Sequence, residues 1–388
     1  MIDRLKKYFK GDPVIWGVIF ALSIISLLAV YSSTGTLAYK YRAGNVTYYL
    51  LKHASFLFFG FLVIYVTHLI PYKYFSRIAQ LVFYVSIPLL FITLAFGTSI
   101  NQAARWLTLP GTGLTFQTSD LAKIALIMYL ARMLSLKQEK IKSYKQGFLP
   151  LITPVAITCA LIMPANLSTA VILFAVSLIL MFIGRVKTIY LAAVSGMALL
   201  AVVTLIVIAL NSDWEGRWGT WRNRVVNFTE QDSGANYQAE QSKIAIASGK
   251  VFGKGPGNSI QRNFLPHPYS DFIFAIIVEE GGLIFGLLVI FLYLYLLYRA
   301  GAIVSKSSRT FQAFLAFGLT LVLVLQAMVN MAVAVGILPV TGQPLPLISM
   351  GGTSIIFTAA ALGMILSVSR STETVVKKQI IDEPESDE

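Results

Sequence analysis

The 388-residue chain is 56% hydrophobic and only 13% charged, with a mean hydropathy of +0.72 and a formal net charge of +13. Soluble domains carry about 25% charged residues, so a water-soluble globule is excluded. The basic excess lies in short loops between apolar runs, which assigns it to membrane orientation and predicts no nucleic-acid partner.

Apolar runs fall at 14–36, 48–70, 74–97, 117–136, 146–163, 166–184, 187–211, 270–299, 309–337 and 347–370. A bilayer-spanning helix needs roughly 20 such residues. The pattern predicts an all-α polytopic membrane protein of about ten transmembrane helices. It forms a single domain over 1–370, followed by an acidic tail over 371–388. The basic start (MIDRLKKYFKGD) leads into a long run without a small-residue cleavage site, so a retained first helix is expected rather than a signal peptide. The fifth and sixth runs are separated by a tight turn at Pro164-Ala165-Asn166. The single cysteine, Cys159, lies inside an apolar run and forms no internal disulfide.

Charge sets the orientation. With the N-terminus cytoplasmic, Lys73, Arg77, Lys137, Lys140, Lys142, Lys145, Arg185, Lys187, Arg299, Lys306, Arg309, Lys377 and Lys378 all fall inside. Lys40 and Arg42 are the main exceptions. Both termini are then cytoplasmic, and the informative loops lie outside: 98–116, 164–166, 212–269 and 338–346. The segment 212–269 is too long for a plain connection. It carries Trp214, Trp218, Trp221, Phe228, Tyr237, Phe252 and Phe264, so short surface helices are expected within it. The glycine cluster at 249–257 has the wrong spacing for a P-loop, and no nucleotide is expected.

Ionisable groups inside membrane spans mark function by default. Asp120 and Lys123 stand at i, i+3 near the outer end of the fourth run, a spacing that lets them pair. Glu279 and Glu280 lie about two turns into the eighth run. As neighbours about 100° apart on a helix, they are not expected to reach one partner. Asp271 stands at the outer mouth of the same run. One reading makes it a first-turn acid behind a Ser270 N-cap. The other makes it a general base for a sugar hydroxyl. Arg105, Arg217, Arg222, Arg224, Lys254 and Arg262 supply outer basic charge suited to a diphosphate.

Several stretches resemble SEDS proteins (shape, elongation, division and sporulation). They are Asn101–Leu107 (NQAARWL), Gln117–Lys123 (QTSDLAK), Gly253–Gly257 (GKGPG), Ser270–Ala275 (SDFIFA), Glu279-Glu280 and Pro339–Ser354 (PVTGQPLPLISMGGTS). Lys10–Trp16 and Val30–Ser33 are more similar to the cell-division (FtsW) branch than to the elongation (RodA) branch. The resemblance implies a ten-helix fold and peptidoglycan glycosyltransferase activity on lipid II at the outer face of the inner membrane. It places the essential outer aspartate on Asp271, the loop Arg-Trp pair on Arg105 and Trp106, and the fourth-helix acid–lysine pair on Asp120 and Lys123. Substrate-binding residues are expected at Arg105, Trp106, Asp120, Lys123, Arg222, Arg224, Lys254, Gln261 and Ser349. Structural or pore-lining roles are expected for Glu279, Glu280, Asn166 and Asn330. Implied partners are lipid II, the growing lipid-linked glycan, a class B penicillin-binding protein and other divisome proteins. The charge of a leaving diphosphate also allows a divalent cation, Mg or Mn, although no ligand cluster is visible. Thr118 and Asp120 stand where the family has Pro and Glu, Asn166 where it has Asp, and Met350 where it has Tyr; Val278 and Gly281 are unusual neighbours for the Glu pair. Two rival functions remain open at this stage: a lipid II flippase, and a catalytically silent division scaffold.

Overall fold

The computed structural model describes residues 9–100, 103–108, 115–211, 237–307 and 309–382. Each of the ten apolar runs is a helix. In chain order these are α1 (Pro13–Ser33), α3 (Val46–Leu69), α4 (Tyr72–Phe96), α5 (Thr118–Leu136), α6 (Leu149–Ile162), α7 (Leu167–Ile183), α8 (Thr188–Asn211), α10 (Ile273–Lys306), α11 (Thr310–Ala334) and α12 (Gly352–Asp382). Among the described residues two shorter α-helices join them: α2 (Gly35–Arg42), and α9 (Tyr237–Gly249) within the long loop. Among the described residues, eight helices are long and apolar enough to cross a membrane, α6 counting with the π-type turn at Tyr144–Phe148 that leads into it. The 17-residue α7 and the charge-bearing α5 complete the bundle.

Helix starts follow the local sequence. Asp12 caps α1 by accepting from the Val14 N–H, with Pro13 at the first position, where its missing donor costs nothing. Asn45 caps α3 through the Tyr48 N–H. Asn166 closes the tight turn after α6 and caps α7 through the Thr169 N–H at 3.2 Å. The helix α11 is the centre of the bundle, with 78% of its most apolar window buried, whereas α8 is peripheral at 6%.

Two features depart from an all-helical expectation. The loop after α4 contains a three-stranded antiparallel sheet, β1 (Thr98–Ile100), β2 (Ala103–Thr108) and β3 (Thr115–Gln117), in the order β1-β2-β3. The middle strand pairs Trp106 with Gln117, immediately before α5. The second is a break in α10 at Gly282, whose φ of 74° and ψ of −177° are open essentially to glycine alone. Loop residues 250–255 fill the gap. The Leu283 and Ile284 N–H groups donate to the Lys250 and Val251 carbonyls, and the Lys254 and Gly255 N–H groups donate to the Glu279 and Glu280 carbonyls. Backbone groups freed by the break therefore stay paired, as a low-dielectric environment demands.

The helix termini sort into two ends. At one, Asp12 pairs with Arg299 (Nε to Oδ2, 2.9 Å), and its N–H donates to Ser369 Oγ at 2.8 Å. The other, the loop end, carries the sheet, α2, α9 and the segments flanking Asp271.

Candidate active site at the loop end

Asp271 precedes α10 rather than lying in its first turn. The helix begins at Ile273 with Phe272 as a cap that makes no side-chain bond, so the expected Ser270 N-cap does not form. Instead, Ser270 Oγ donates to Asp271 Oδ1 at 2.9 Å. The half-buried carboxylate sits on a pinned backbone. The Tyr269 carbonyl accepts from the Met350 N–H at 2.9 Å, the Ser270 carbonyl from Ser349 Oγ at 2.6 Å, and the Asp271 carbonyl from Asn330 Nδ2 at 2.8 Å. Ser349 Oγ also accepts from the Leu345 N–H at 2.8 Å. Burial pushes the Tyr269 phenol above its ordinary pKa, with Tyr41, Asp271 and Tyr49 adding to the effect.

Asp120 and Lys123 pair at 2.8 Å as their spacing predicts, and both are buried. Lys123 Nζ also donates to Gln326 Oε1 at 3.0 Å, and Gln326 Nε2 donates to the Pro344 carbonyl at 3.0 Å. Asp120 Oδ2 is buried without a hydrogen-bond partner among the described residues. The pair borders a cleft of about 400 Å³ with Gln326, Ser354, Phe357 and Thr358. A buried carboxylate oxygen at such a cleft suits a hydroxyl or N–H donor from a ligand.

The loop 339–350 joins these two places. Gln343 Nε2 donates to Asn166 Oδ1 at 3.1 Å and to Thr169 Oγ1 at 2.5 Å, and its carbonyl accepts from Asn330 Nδ2 at 2.7 Å. Asp271, Ser349, Asn330, Asn166, Lys123 and Asp120 thus belong to one polar network through the bundle. Asn166 acts as a cap and an acceptor. Gln326, Gln343 and Thr169 complete the network, yet neutral amides and a threonine carry no charge signal that would have marked them in the sequence.

Glu279 and Glu280 form a second cluster. Glu279 is fully buried and accepts from Lys254 Nζ (2.6 Å), Ser259 Oγ (2.5 Å) and the Ile260 N–H (3.1 Å). Glu280 accepts from Ser32 Oγ on α1 and from the Ser259 N–H at 3.1 Å. One residue, Ser259, therefore reaches both acids, because its hydroxyl and its backbone N–H point apart; the expectation that the two acids share no partner is corrected. Arg262 Nη1 donates to the Ser32 carbonyl at 3.0 Å. Lys254, Arg262 and the Gln261 backbone thereby fasten the loop, and Lys254 and Gln261 are also residues expected at the substrate. Trp106 is half-buried in the middle strand, next to Arg105 in sequence. Arg222 and Arg224 lie outside the described residues.

Among the described residues, no three His, Cys, Asp or Glu side chains converge on one point. Asp271 alone offers one carboxylate at the mouth of α10.

The family model described as cell cycle protein FtsW/RodA/SpoVE matches residues 12–374. A probable peptidoglycan glycosyltransferase FtsW from Trichlorobacter lovleyi is 33% identical over 377 residues, covering 95% of this chain and 96% of its own. A protein of the same name from Escherichia coli is 31% identical, covering 93% and 86%. Among solved structures, rod shape determining protein RodA from Thermus thermophilus superposes with a TM-score of 0.69 at 22% identity, over 94% of this chain and 98% of that one. A chain from a peptidoglycan synthase complex, described as coordinating polymerization and crosslinking, gives 0.70 at 24% identity, over 93% and 98%. At such identities the likeness establishes a shared fold.

Proposed function

The chain belongs to the FtsW/RodA/SpoVE (SEDS) family, and from that premise we propose that it polymerises lipid II into glycan strands for septal wall synthesis, with Asp271 as general base. The observation that carries the reading is the half-buried Asp271 carboxylate, set on a backbone fixed at three successive carbonyls. The loop end faces outward by the charge pattern. Ten crossings leave both termini on the cytoplasmic side, in keeping with the contact between Asp12 and Ser369.

Asp271 takes the proton from the acceptor sugar hydroxyl of one lipid II. That oxygen bonds to the anomeric carbon of the growing chain as the bond from that carbon to the diphosphate oxygen breaks. The transition state resembles the oxocarbenium ion of glycoside hydrolysis. The lipid diphosphate leaves, and outer cations, with Arg105, Arg222 and Arg224 as candidates, stabilise the charge gathering on it. The activated donor supplies the driving force, so the reaction needs no nucleotide. A divalent cation, Mg or Mn, would add to the stabilisation of the charge on the leaving diphosphate. A class B penicillin-binding protein would crosslink the strand, a partnership supported by the complex in which the structural relative was solved.

The test is lipid II polymerisation by the purified protein with its transpeptidase, wild type beside Asp271→Asn. Glycan chains from the wild type and a loss of at least about 100-fold in the variant are expected. Equal chains from a folded variant would move the base elsewhere. If the wild type made no chains but moved labelled lipid II across vesicles, the flippase reading would replace this one.

A further inference from the structure

Gln326 and Asn330 stand one turn apart on α11, so their side chains project from one face. Both are buried, at 7% and 1% exposure. Each holds one of two consecutive carbonyls of the loop 339–350: Gln326 holds that of Pro344 and Asn330 that of Gln343. The segment Gly342-Gln343-Pro344-Leu345-Pro346 has no regular secondary structure, and its prolines have no N–H. Its buried carbonyls must find donors elsewhere, and α11 supplies those for Gln343 and Pro344.

The second proton of the Asn330 amide goes to the Asp271 carbonyl. That carbonyl takes no bond from the first turn of α10, where the Ala275 and Ile276 N–H groups both donate to the Phe272 carbonyl instead. Nothing intrinsic to α10 therefore fixes the Asp271 peptide plane. The two amide protons of Asn330 tie that plane to the loop. The loop is tied in turn to the Asp120–Lys123 pair through Gln326, and to α7 through Gln343.

We propose that Asn330, supported by Gln326, is a positioning residue that sets the Asp271 carboxylate by holding its backbone carbonyl against the Gln343 carbonyl. The proposal rests on Asp271 being the base. A base must sit within hydrogen-bond reach of the proton it removes, and a displacement of about 1 Å costs on the order of 100-fold in rate. The amide touches the backbone of Asp271 and not the substrate, so its loss lowers kcat and leaves KM nearly unchanged.

The chemistry of a carboxyl group gives a sharper readout. In Asn330→Asp the new side chain faces two carbonyl acceptors. Protonated, it keeps one donor; ionised, it repels both oxygens. Burial and the two acceptors favour the neutral form. The activity of this variant relative to wild type therefore falls as pH rises through the titration of the introduced carboxyl. Asn330→Leu, which fills the space without a donor, loses activity at every pH.

The experiment measures lipid II polymerisation by the full-length protein with its transpeptidase, from pH 5.5 to 9, for wild type, Asn330→Leu, Asn330→Asp and Gln326→Glu. Monodispersity in detergent and retained partner binding establish folding. Expected are a 10- to 100-fold loss of kcat in Asn330→Leu with KM within about twofold, partial activity at low pH in Asn330→Asp, and a smaller loss in Gln326→Glu, which keeps Lys123 but gives up the Pro344 bond. Wild-type kcat in Asn330→Leu overturns the proposal. So does a parallel, pH-independent loss in all three variants, which is the mark of a purely structural role. If Asn330→Leu does not fold, the pH dependence of Asn330→Asp against wild type decides alone. An inactive wild type overturns the functional reading and this proposal with it; an active wild type beside unaffected variants overturns this proposal only.

Discussion

Lys254 shows at the scale of a residue that an outer cation can carry a structural ion pair as well as a charge for a ligand. Its place in a basic outer loop marked it for the substrate, but it lies 2.6 Å from the fully buried Glu279. An ammonium so placed holds a carboxylate in a region that would otherwise expel it. Lys254→Met should cost about 3 kcal/mol, the low end for breaking a buried pair, because Ser259 and the Ile260 N–H still serve the acid. Adding Glu279→Gln removes the stranded charge and should recover most of the loss, read as the midpoint of thermal unfolding in detergent. An unchanged midpoint with a raised KM for lipid II would return Lys254 to the substrate. The place of Asp271 at the mouth of α10 is legible in the sequence, because an acid at the end of a membrane helix is conspicuous and the motif around it is specific. Gln326 and Gln343 were not legible, because an uncharged amide reveals its importance only when its partners are known.

At the scale of the element, every apolar run became a helix, because only a helix satisfies its own backbone in lipid. The strands within 98–117 are not legible in the sequence, since segments of three to six residues carry too little alternation. The break in α10 was hidden inside a continuous apolar run. Gly282 is its cause, as a Cβ there would sit 2.2 Å from the Val251 carbonyl oxygen, in a backbone conformation closed to other residues. Gly253 approaches from the loop side, where a Cβ would lie 2.1 Å from the Glu280 carbonyl oxygen. The two glycines let the loop backbone enter the helix and complete its hydrogen bonding. Gly282→Ala should therefore destabilise by more than about 2 kcal/mol, adding steric overlap to backbone strain. Faster hydrogen exchange at the Leu283 and Ile284 amides should accompany it, since their acceptors are loop carbonyls. Protection equal to wild type at those two amides would mean that the break tolerates a side chain.

Across the whole molecule, the loop end holds Asp271 and the opposite end holds the clasp. From Ile273 to Arg299 the helix α10 rises roughly 40 Å at 1.5 Å per residue, so the Asp12–Arg299 pair stands a membrane thickness from Asp271. The clasp closes the bundle by joining the first helix to α10 and α12, through Arg299 and Ser369. Its two halves are unequal. Asp12 is buried, with its side chain 5% exposed, whereas that of Arg299 is 31% exposed. Arg299→Gln strands a buried carboxylate. Asp12→Asn instead leaves a guanidinium that can reach water, and Asn keeps the cap on the Val14 N–H. The arginine substitution should therefore lower the unfolding midpoint more than the aspartate substitution. Asp12→Ala, which also loses the cap, should cost about 1 kcal/mol beyond Asp12→Asn. None of the three should alter kcat of the folded protein, because the network around Asp271 runs through α5, α7, α11 and the loop 339–350 and never reaches this end. A fall in kcat at constant fold would instead mean that closure of the bundle at its far end is felt at Asp271, with α10 and its break as the physical connection between them.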